Sequence, residues 1–278
     1  MKTIAVLGPA GSNGHEAAYK FFGQASSTLT FCDSNLGILE MCEREPGQLM
    51  GCVPVENSSA GLVSEVVKDY WLARSDTPLV VIGEVTIPIW HCLLVRRDAD
   101  ISGVTHVMSH PQALMQCRRF IGKYGWQTLP AKSTSLAAKE ISMRQDLRDT
   151  VVLASSLAAK VYALKVVGEN VGDSDGNATR FHILDTTPAV PTGKDRTALM
   201  FKLSNTPRAL LLALTAISVQ GVNISSIHSI PLGNAGEYAF YLEFDIHQDT
   251  EMGREVLHEL KKVSYELVIL GSYPQASE

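Results

Sequence analysis

Thr3-Ile4-Ala5-Val6-Leu7-Gly8-Pro9-Ala10-Gly11-Ser12-Asn13-Gly14 runs from a short apolar segment straight into a glycine-rich bend, and His15 to Phe22 continue as an amphipathic stretch. A strand that ends in a tight turn and opens a helix is the first step of βαβ grammar, which implies parallel sheet flanked by helices. The same alternation recurs outward: Leu29–Cys32 then Leu36–Arg44, and Gly51–Val55 then Leu62–Ala73. A second set comprises Val104–Met108, a helix from Pro111 to Gly122, Gln127–Pro130, a helix near Ser135–Met143, and Thr150–Ala154. Two α/β lobes with a cleft between them are expected, and the strand near Phe181–Leu184 is expected to return to the first lobe.

Thr186-Thr187-Pro188-Ala189-Val190-Pro191-Thr192-Gly193 carries two prolines, a glycine and little core material, so it reads as a linker. Residues 1–185 then form the two-lobed domain, 186–194 the linker, and 195–278 a separate domain. In that last part the order is strand Thr197–Leu203, helix Pro207–Gln220, strands Val222–Pro231 and Tyr238–Asp245, helix Glu251–Lys262, strand Tyr265–Leu270. This is βαββαβ, a ferredoxin-like arrangement. Thr206 suits the helix cap before Pro207, and Gly221 suits the position just past the helix.

At 278 residues the chain has room for two cores, and 45% hydrophobic with 19% charged residues is an ordinary folded composition. The net charge is −5 and no Lys/Arg-rich stripe appears, which argues against a nucleic-acid partner. An anion must therefore be held by a few local donors or helix N-termini. Cys32, Cys42, Cys52, Cys92 and Cys117 are odd in number and contain no C-x-x-C pair, so buried reduced thiols are expected in place of disulfides or structural zinc. The N-terminal run reads as a strand, not a secretory leader, and Leu79–Val95 is interrupted by Glu84, Pro88 and His91, so it reads as two buried strands, not a membrane span. A cytoplasmic protein is expected.

Four clusters could carry chemistry. Gly8 to Gly14 offers helix-start N–H groups, but its G-x-x-G-x-x-G spacing lacks the glycine a dinucleotide pyrophosphate needs, leaving an anion site or a bare turn. Val53-Pro54-Val55-Glu56-Asn57-Ser58-Ser59 stands at a strand's C-terminal end, where open α/β sheets place ligands. A helix cap would explain the serines there but not Glu56-Asn57. Ser109-His110-Pro111-Gln112 and Lys132-Ser133-Thr134-Ser135 open two helices of the second lobe, with capping as the plain reading and a shared cleft as the functional one. Asn177-Ala178-Thr179-Arg180-Phe181 sets a hydroxyl, a permanent cation and an aromatic in a row. Arg180 is the group there able to hold a carboxylate bidentately, although in an extended segment it points away from Thr179 and Phe181. An exposed Arg on an edge strand is the alternative.

Together these motifs resemble the prephenate dehydratase family over nearly the whole chain. Pro54 to Ser58 resembles its Pro-x-Glu-Asn-Ser block, His110-Pro111-Gln112 its His-Pro-Gln block, Ser133-Thr134-Ser135 its Ser-Thr block, and Asn177 to Phe181 its Asn-x-Thr-Arg-Phe signature. The resemblance implies a periplasmic-binding-protein-like catalytic domain followed by an ACT regulatory domain. It also implies cofactor-free and metal-free conversion of prephenate to phenylpyruvate, water and carbon dioxide in phenylalanine biosynthesis, with membrane and nucleic acid playing no part. It assigns Thr179 as donor to the departing hydroxyl, with Glu56 as a source or relay of the proton and Asn57 beside them. Ser12, Ser58, Ser133, Thr134, Asn177, Arg180 and Phe181 are then substrate contacts. A homodimer or homotetramer through ACT domains is implied, with L-phenylalanine as effector near Leu210, Asn223 and Ser229.

The sequence departs from the family in places. The usual Gly-Thr-aromatic is Gly11-Ser12-Asn13, the usual Gly-Ala-Leu is Arg208-Ala209-Leu210, and the usual Glu-Ser-Arg-Pro is His228-Ser229-Ile230-Pro231. Weakened phenylalanine control, or a different effector, is expected. Arogenate dehydration, decarboxylation without dehydration, and a non-enzymatic two-lobed sensor stand as alternatives.

Overall fold

The computed structural model describes residues 3–26, 28–72, 79–99, 101–232 and 237–276. Met1, Lys2 and Ala73, at the ends of expected elements, lie outside them.

The first lobe is laid down as β1 (Thr3–Leu7), α1 (Asn13–Phe22), β2 (Thr28–Cys32), α2 (Asn35–Arg44), β3 (Leu49–Asn57), the short β4 (Gly61–Leu62), α3 (Ser64–Leu72) and β5 (Val80–Pro88). The chain then crosses into the second lobe. There it forms β6 (Cys92–Val95), β7 (His106–Ser109), α4 (Pro111–Gln116), α5 (Arg118–Tyr124), β8 (Gln127–Pro130), α6 (Thr134–Met143), β9 (Thr150–Ala154), α7 (Ser156–Val161) and β10 (Lys165–Gly168). It returns as β11 (Ala178–Asp185). The remainder is β12 (Asp195–Lys202), α8 (Ala209–Ser218), β13 (Ile224–Pro231), β14 (Tyr238–Phe244), α9 (Glu251–Val263) and β15 (Glu266–Pro274).

Three sheets result, ordered β2-β1-β3-β11-β5 with β4 on β3, then β10-β6-β9-β7-β8, then β13-β14-β12-β15. β1 pairs in parallel with β2 and β3, and β7 with β8 and β9, as the βαβ grammar requires. The strands that cross between lobes enter from the other end, so β11 runs antiparallel to both β3 and β5, and β6 runs antiparallel to β9 and β10. Central β9 is buried at every residue, as expected of a strand covered on both faces.

The helices start where hydroxyls cap them. Ser12, Ser34, Ser133, Ser155 and Thr250 each accept a hydrogen bond from the backbone N–H three residues on, each such cap being worth roughly 1 kcal/mol. The helix expected over Pro111–Gly122 is two helices, because the chain bends at Cys117 and the Asp173 carboxylate accepts from the N–H groups of Arg119 and Phe120, capping a new start. The helix expected from Pro207 begins at Ala209, and its cap is Arg208 in the left-handed region (φ 71°), not Thr206.

Gly11, at φ 82°, is needed for a close approach: a Cβ there would stand 2.8 Å from the Ala158 Cα of α7. The Ser155 hydroxyl donates to the Gly11 carbonyl at 3.0 Å and the Tyr162 hydroxyl to that of Ala10 at 2.7 Å, so the first glycine bend is tied to the second lobe. The C-terminal sheet packs one face on its own helices, around Leu199, Phe201, Leu242 and Leu260. Its other face, through Met200, Tyr241 and Tyr273, shares a core with Val53, Val55, Tyr70 and Trp71 of the first lobe. A Cβ on Gly271 would collide with the Val81 backbone at 2.2 Å, so glycine is what lets β15 lie against β5.

Candidate active site

A cavity of about 460 Å³ lies between the lobes and takes its walls from the predicted clusters. Ser12, Asn13, Gly14, Asn57, Asn177, Thr179 and Phe181 come from the first sheet and its turns, while His110, Gln116, Lys132, Ser133 and Thr134 come from the second lobe. Ile89 and His91, on the segment crossing between lobes, close the floor.

At its centre β3 and β11 lie side by side, with Thr179 opposite Asn57. The backbone N–H groups of Ser59 and Ala60 donate to Asn57 Oδ1 at 3.1 and 2.9 Å. A backbone N–H can only donate, so the amide's orientation is fixed and its nitrogen must face the other way. Asn57 Nδ2 stands 2.9 Å from both Thr179 Oγ1 and Asn177 Oδ1 and 3.0 Å from the Ala178 carbonyl, so its two N–H groups are shared among three acceptors. Thr179 therefore accepts from Asn57, and its own O–H is left to donate into the cavity. The polarity continues outward, since Asn177 Nδ2 donates to Gln116 Oε1 at 3.2 Å and His91 Nε2 lies 2.8 Å from the same oxygen. With Gln116 Oε1 accepting, His91 carries its proton on Nε2. Burial lowers the His91 pKa below the ordinary histidine value, and the bond to Gln116 opposes that shift.

The helix-start residues serve as both caps and wall. The Ser12 hydroxyl donates to the Leu7 carbonyl at 2.6 Å and accepts from His15 N–H, so its O–H is committed locally. The first turn of α1, through Asn13 and Gly14, still lines the cavity, and a helix start of this kind favours an anion. Ser133 caps α6 in the same way, next to Lys132. His110 Nδ1 accepts from Gln112 N–H at 3.2 Å, a cap that leaves the other ring nitrogen at the cavity wall.

Arg180 and Glu56 are corrections. Alternation along two paired strands puts them on the opposite face from Thr179 and Asn57, and neither lines the cavity. Glu56 is part of β3, not of a turn, and its carboxylate lies 3.0 Å from Arg180, so it does not reach a ligand held at Thr179. Arg180 does hold a carboxylate bidentately, but the partner is Glu243 of the C-terminal sheet, at 2.9 Å through each guanidinium nitrogen. Glu84 takes a further 2.9 Å bond from Arg180 and is shared with Arg196 at 3.0 Å. Burial would weaken the Arg180 cation, yet Glu243 holds it charged well above its usual value. Burial would likewise raise Glu243, but the His182 hydrogen bond and the Arg180 charge keep it well below the usual carboxylate range. Ser58, expected as a substrate contact, is exposed and does not line the cavity: it accepts from Ala178 N–H at 3.0 Å and donates to the Gly176 carbonyl at 3.2 Å, tying the end of β3 to β11.

With Arg180 withdrawn, Lys132 is the one Lys, Arg, Asp or Glu side chain among the described residues of the cavity wall. The sequence names it only as part of a helix start. His91 and Glu84, read only as interruptions of an apolar stretch, prove to be the cavity floor and a member of the ion cluster. A histidine or glutamate inside an apolar stretch is the available signal, because such groups are tolerated in a buried setting only when paired.

In the C-terminal domain Leu210 and Ser229 are exposed, and Asn223 Nδ2 donates to Asp245 at 2.7 Å. Among the described residues no group of three His, Cys, Asp or Glu side chains could hold a metal ion, and no helix is long and apolar enough to cross a membrane.

Fold and cavity define a two-lobed α/β protein with an interlobe cleft and a ferredoxin-like domain attached. A family model described as prephenate dehydratase matches residues 4–189. The chain is 34% identical over 276 residues to a bifunctional chorismate mutase/prephenate dehydratase of Aquifex aeolicus, covering 98% of this chain and 74% of that one. It is 33% identical over 235 residues to arogenate dehydratase/prephenate dehydratase 2 of Arabidopsis thaliana, covering 80% of this chain and 60% of that one. The solved prephenate dehydratase of Arthrobacter aurescens in complex with L-Phe is 28% identical with a TM-score of 0.88, covering 98% of this chain and 90% of that one. The chain belongs to the prephenate dehydratase family, and the relatives named as prephenate dehydratases are hydro-lyases.

Proposed function

We propose that the cleft converts prephenate to phenylpyruvate, water and carbon dioxide. The observation that carries this reading is the fixed polarity at Asn57 and Thr179. It leaves one O–H to donate into a cavity whose wall also carries amides, helix starts, two histidines, apolar side chains and Lys132. As the bond between the ring and its carboxylate breaks, those electrons restore aromaticity and expel the ring hydroxyl. A hydrogen bond from Thr179 then strengthens as charge builds on the departing oxygen, which takes up one proton from solvent and leaves as water. Preorganised donors of this kind contribute most where charge develops in the transition state. Lys132 and the first turns of α1 and α6 are the anchors for the two carboxylates, and Phe181 and Ile89 supply apolar wall for the ring.

Residues 195–278 are read as an ACT-type regulatory domain. Leu211 and Leu212 of α8, Val219 just past its end and Ile227 of the edge strand β13 are exposed apolar residues, which supports association of two copies through this side. Phenylalanine is the effector that the family suggests, acting near Leu210, Asn223 and Ser229. Arg208 in place of the family glycine, together with His228 and Ile230 in place of the charged pair, supports weakened control. Five buried free thiols fit a reducing, cytoplasmic setting.

Incubation with prephenate and ultraviolet detection of phenylpyruvate tests the reading, with arogenate assayed in parallel. Phenylpyruvate formation is expected. Turnover of arogenate alone would assign the plant-type substrate, and turnover of neither would leave a ligand sensor.

A further inference from the structure

The ion cluster behind the sheet has no part in the chemistry proposed above, yet it touches the strands that carry it. Arg180 and Glu56 face each other across β11 and β3, one residue from the facing pair Thr179 and Asn57. The register between the two strands shifts after Arg180 and Glu56, where Phe181 pairs with Pro54 and Val55 of β3 is the extra residue, a bulge next to the Thr179–Asn57 pair. Bulges re-aim a side chain and interrupt the ladder that would otherwise hold it. At that interruption the strand is gripped from behind. The Arg180 guanidinium lies 3.0 Å from Glu56, 2.9 Å from Glu84 and 2.9 Å from each oxygen of Glu243. Glu243 is itself held by the Tyr241 hydroxyl, by Tyr273 at 3.4 Å and by His182 at 3.5 Å, and its side chain is 1% exposed. Buried ion pairs seldom stabilise a fold more than apolar residues of the same size would, so a cluster of this size fits a demand for fixed geometry.

We infer that Glu243, in the C-terminal domain, is a positioning residue for the dehydration: by clamping Arg180 from the far face of the sheet it fixes the bulged pairing of β3 with β11 that sets Thr179 against Asn57 and the cleft. This rests on the dehydratase reading. The C-terminal domain then completes the geometry of the catalytic strands, and any event that moves β14 is felt at Thr179 through one side chain.

The test is Glu243→Gln in the full-length protein, which keeps volume and removes charge, beside Leu260→Ala, which weakens the C-terminal core on the opposite face of the same sheet. Glu243→Gln is expected to lower kcat roughly ten- to hundredfold, the scale for a small misplacement of a catalytic group, while KM stays within about threefold. Amide hydrogen exchange of the peptide Ala178–Asp185 should quicken in Glu243→Gln and not in Leu260→Ala. Should Glu243→Gln fail to accumulate folded, Arg180→Lys keeps the charge but loses the fork, and the same split between kcat and KM is expected. Wild-type kcat in Glu243→Gln, or an equal loss in Leu260→Ala, would overturn the inference alone. A wild-type protein that consumes no prephenate would remove the dehydratase reading and the inference with it.

Discussion

Asn57 Nδ2 donates to Thr179 Oγ1 across 2.9 Å, and because backbone N–H groups occupy the other end of the Asn57 amide, this direction cannot be reversed. The hydroxyl proton of Thr179 is thereby turned toward the cleft without any charged group being spent on it.

Asn57→Asp tests that polarity with almost no change in shape. An ionised carboxylate cannot donate to Thr179 and instead accepts its proton, turning the hydroxyl away from substrate; it also places a charge beside the Asn177 carbonyl oxygen. A loss of about a hundredfold or more in kcat is expected, with the fold retained by circular dichroism. Wild-type turnover would contradict the assigned direction.

Lys132→Met removes the cation from the cavity wall. Loss of one charge-assisted hydrogen bond to a substrate carboxylate corresponds to roughly 1.5–3 kcal/mol, so KM should rise about tenfold or more with a smaller change in kcat. Steady-state kinetics on prephenate reads both. An unchanged KM would show that the helix starts alone anchor the carboxylates.

His15, His91 and His182 are all buried, and burial lowers each pKa below the ordinary histidine value. The unfolded chain therefore binds more protons than the folded one as pH drops through about 6.5. The stability these residues confer is full above that pH and is lost below it. The melting temperature should fall between about pH 7.5 and about pH 6. Glu16 and Asp69, raised by burial, act in the opposite sense but start from ordinary values of 4.5 and 3.8, below this window. A flat or rising melting temperature over the window would contradict the assignment.

Arg208 holds a left-handed backbone (φ 71°) at the start of α8 without a side-chain cap. A non-glycine residue there costs roughly 1–2 kcal/mol, so Arg208→Gly should raise the melting temperature by a few degrees at most, part of the gain being lost to the more flexible unfolded chain. A fall of several degrees would mean that the arginine side chain contributes contacts of its own. If the missing glycine is what weakens effector binding, the same variant should also gain inhibition by phenylalanine.

The two-lobed plan was legible because it is written locally. Apolar runs ending in Gly8, Asn57 or Ser109 and followed by capping hydroxyls define strand-to-helix junctions, and those junctions gather at one cleft. The alternation of β11 likewise put Arg180 opposite Thr179 and Phe181. What carried no local mark was the partner on the far face. Arg180 has the geometry to hold a carboxylate, but only the packing of β14 behind β11 decides that the carboxylate is Glu243 and not substrate. Glu56 was misplaced because β3 runs two residues further than its apolar pattern, which turns a cluster on one bend into alternating faces of a strand. Lys132 was passed over since one lysine before a capped helix looks like any other on a surface.

The central claim is that Thr179 supplies the hydrogen bond to the departing hydroxyl, and Thr179→Val tests it most directly, since it keeps the branched shape and removes only the hydroxyl. With Thr179→Ser as the partner variant, single-turnover measurement of phenylpyruvate formation from prephenate should show Thr179→Val slowed about a hundredfold or more and Thr179→Ser close to wild type. Thr179→Val turning over prephenate at the wild-type rate would contradict the account.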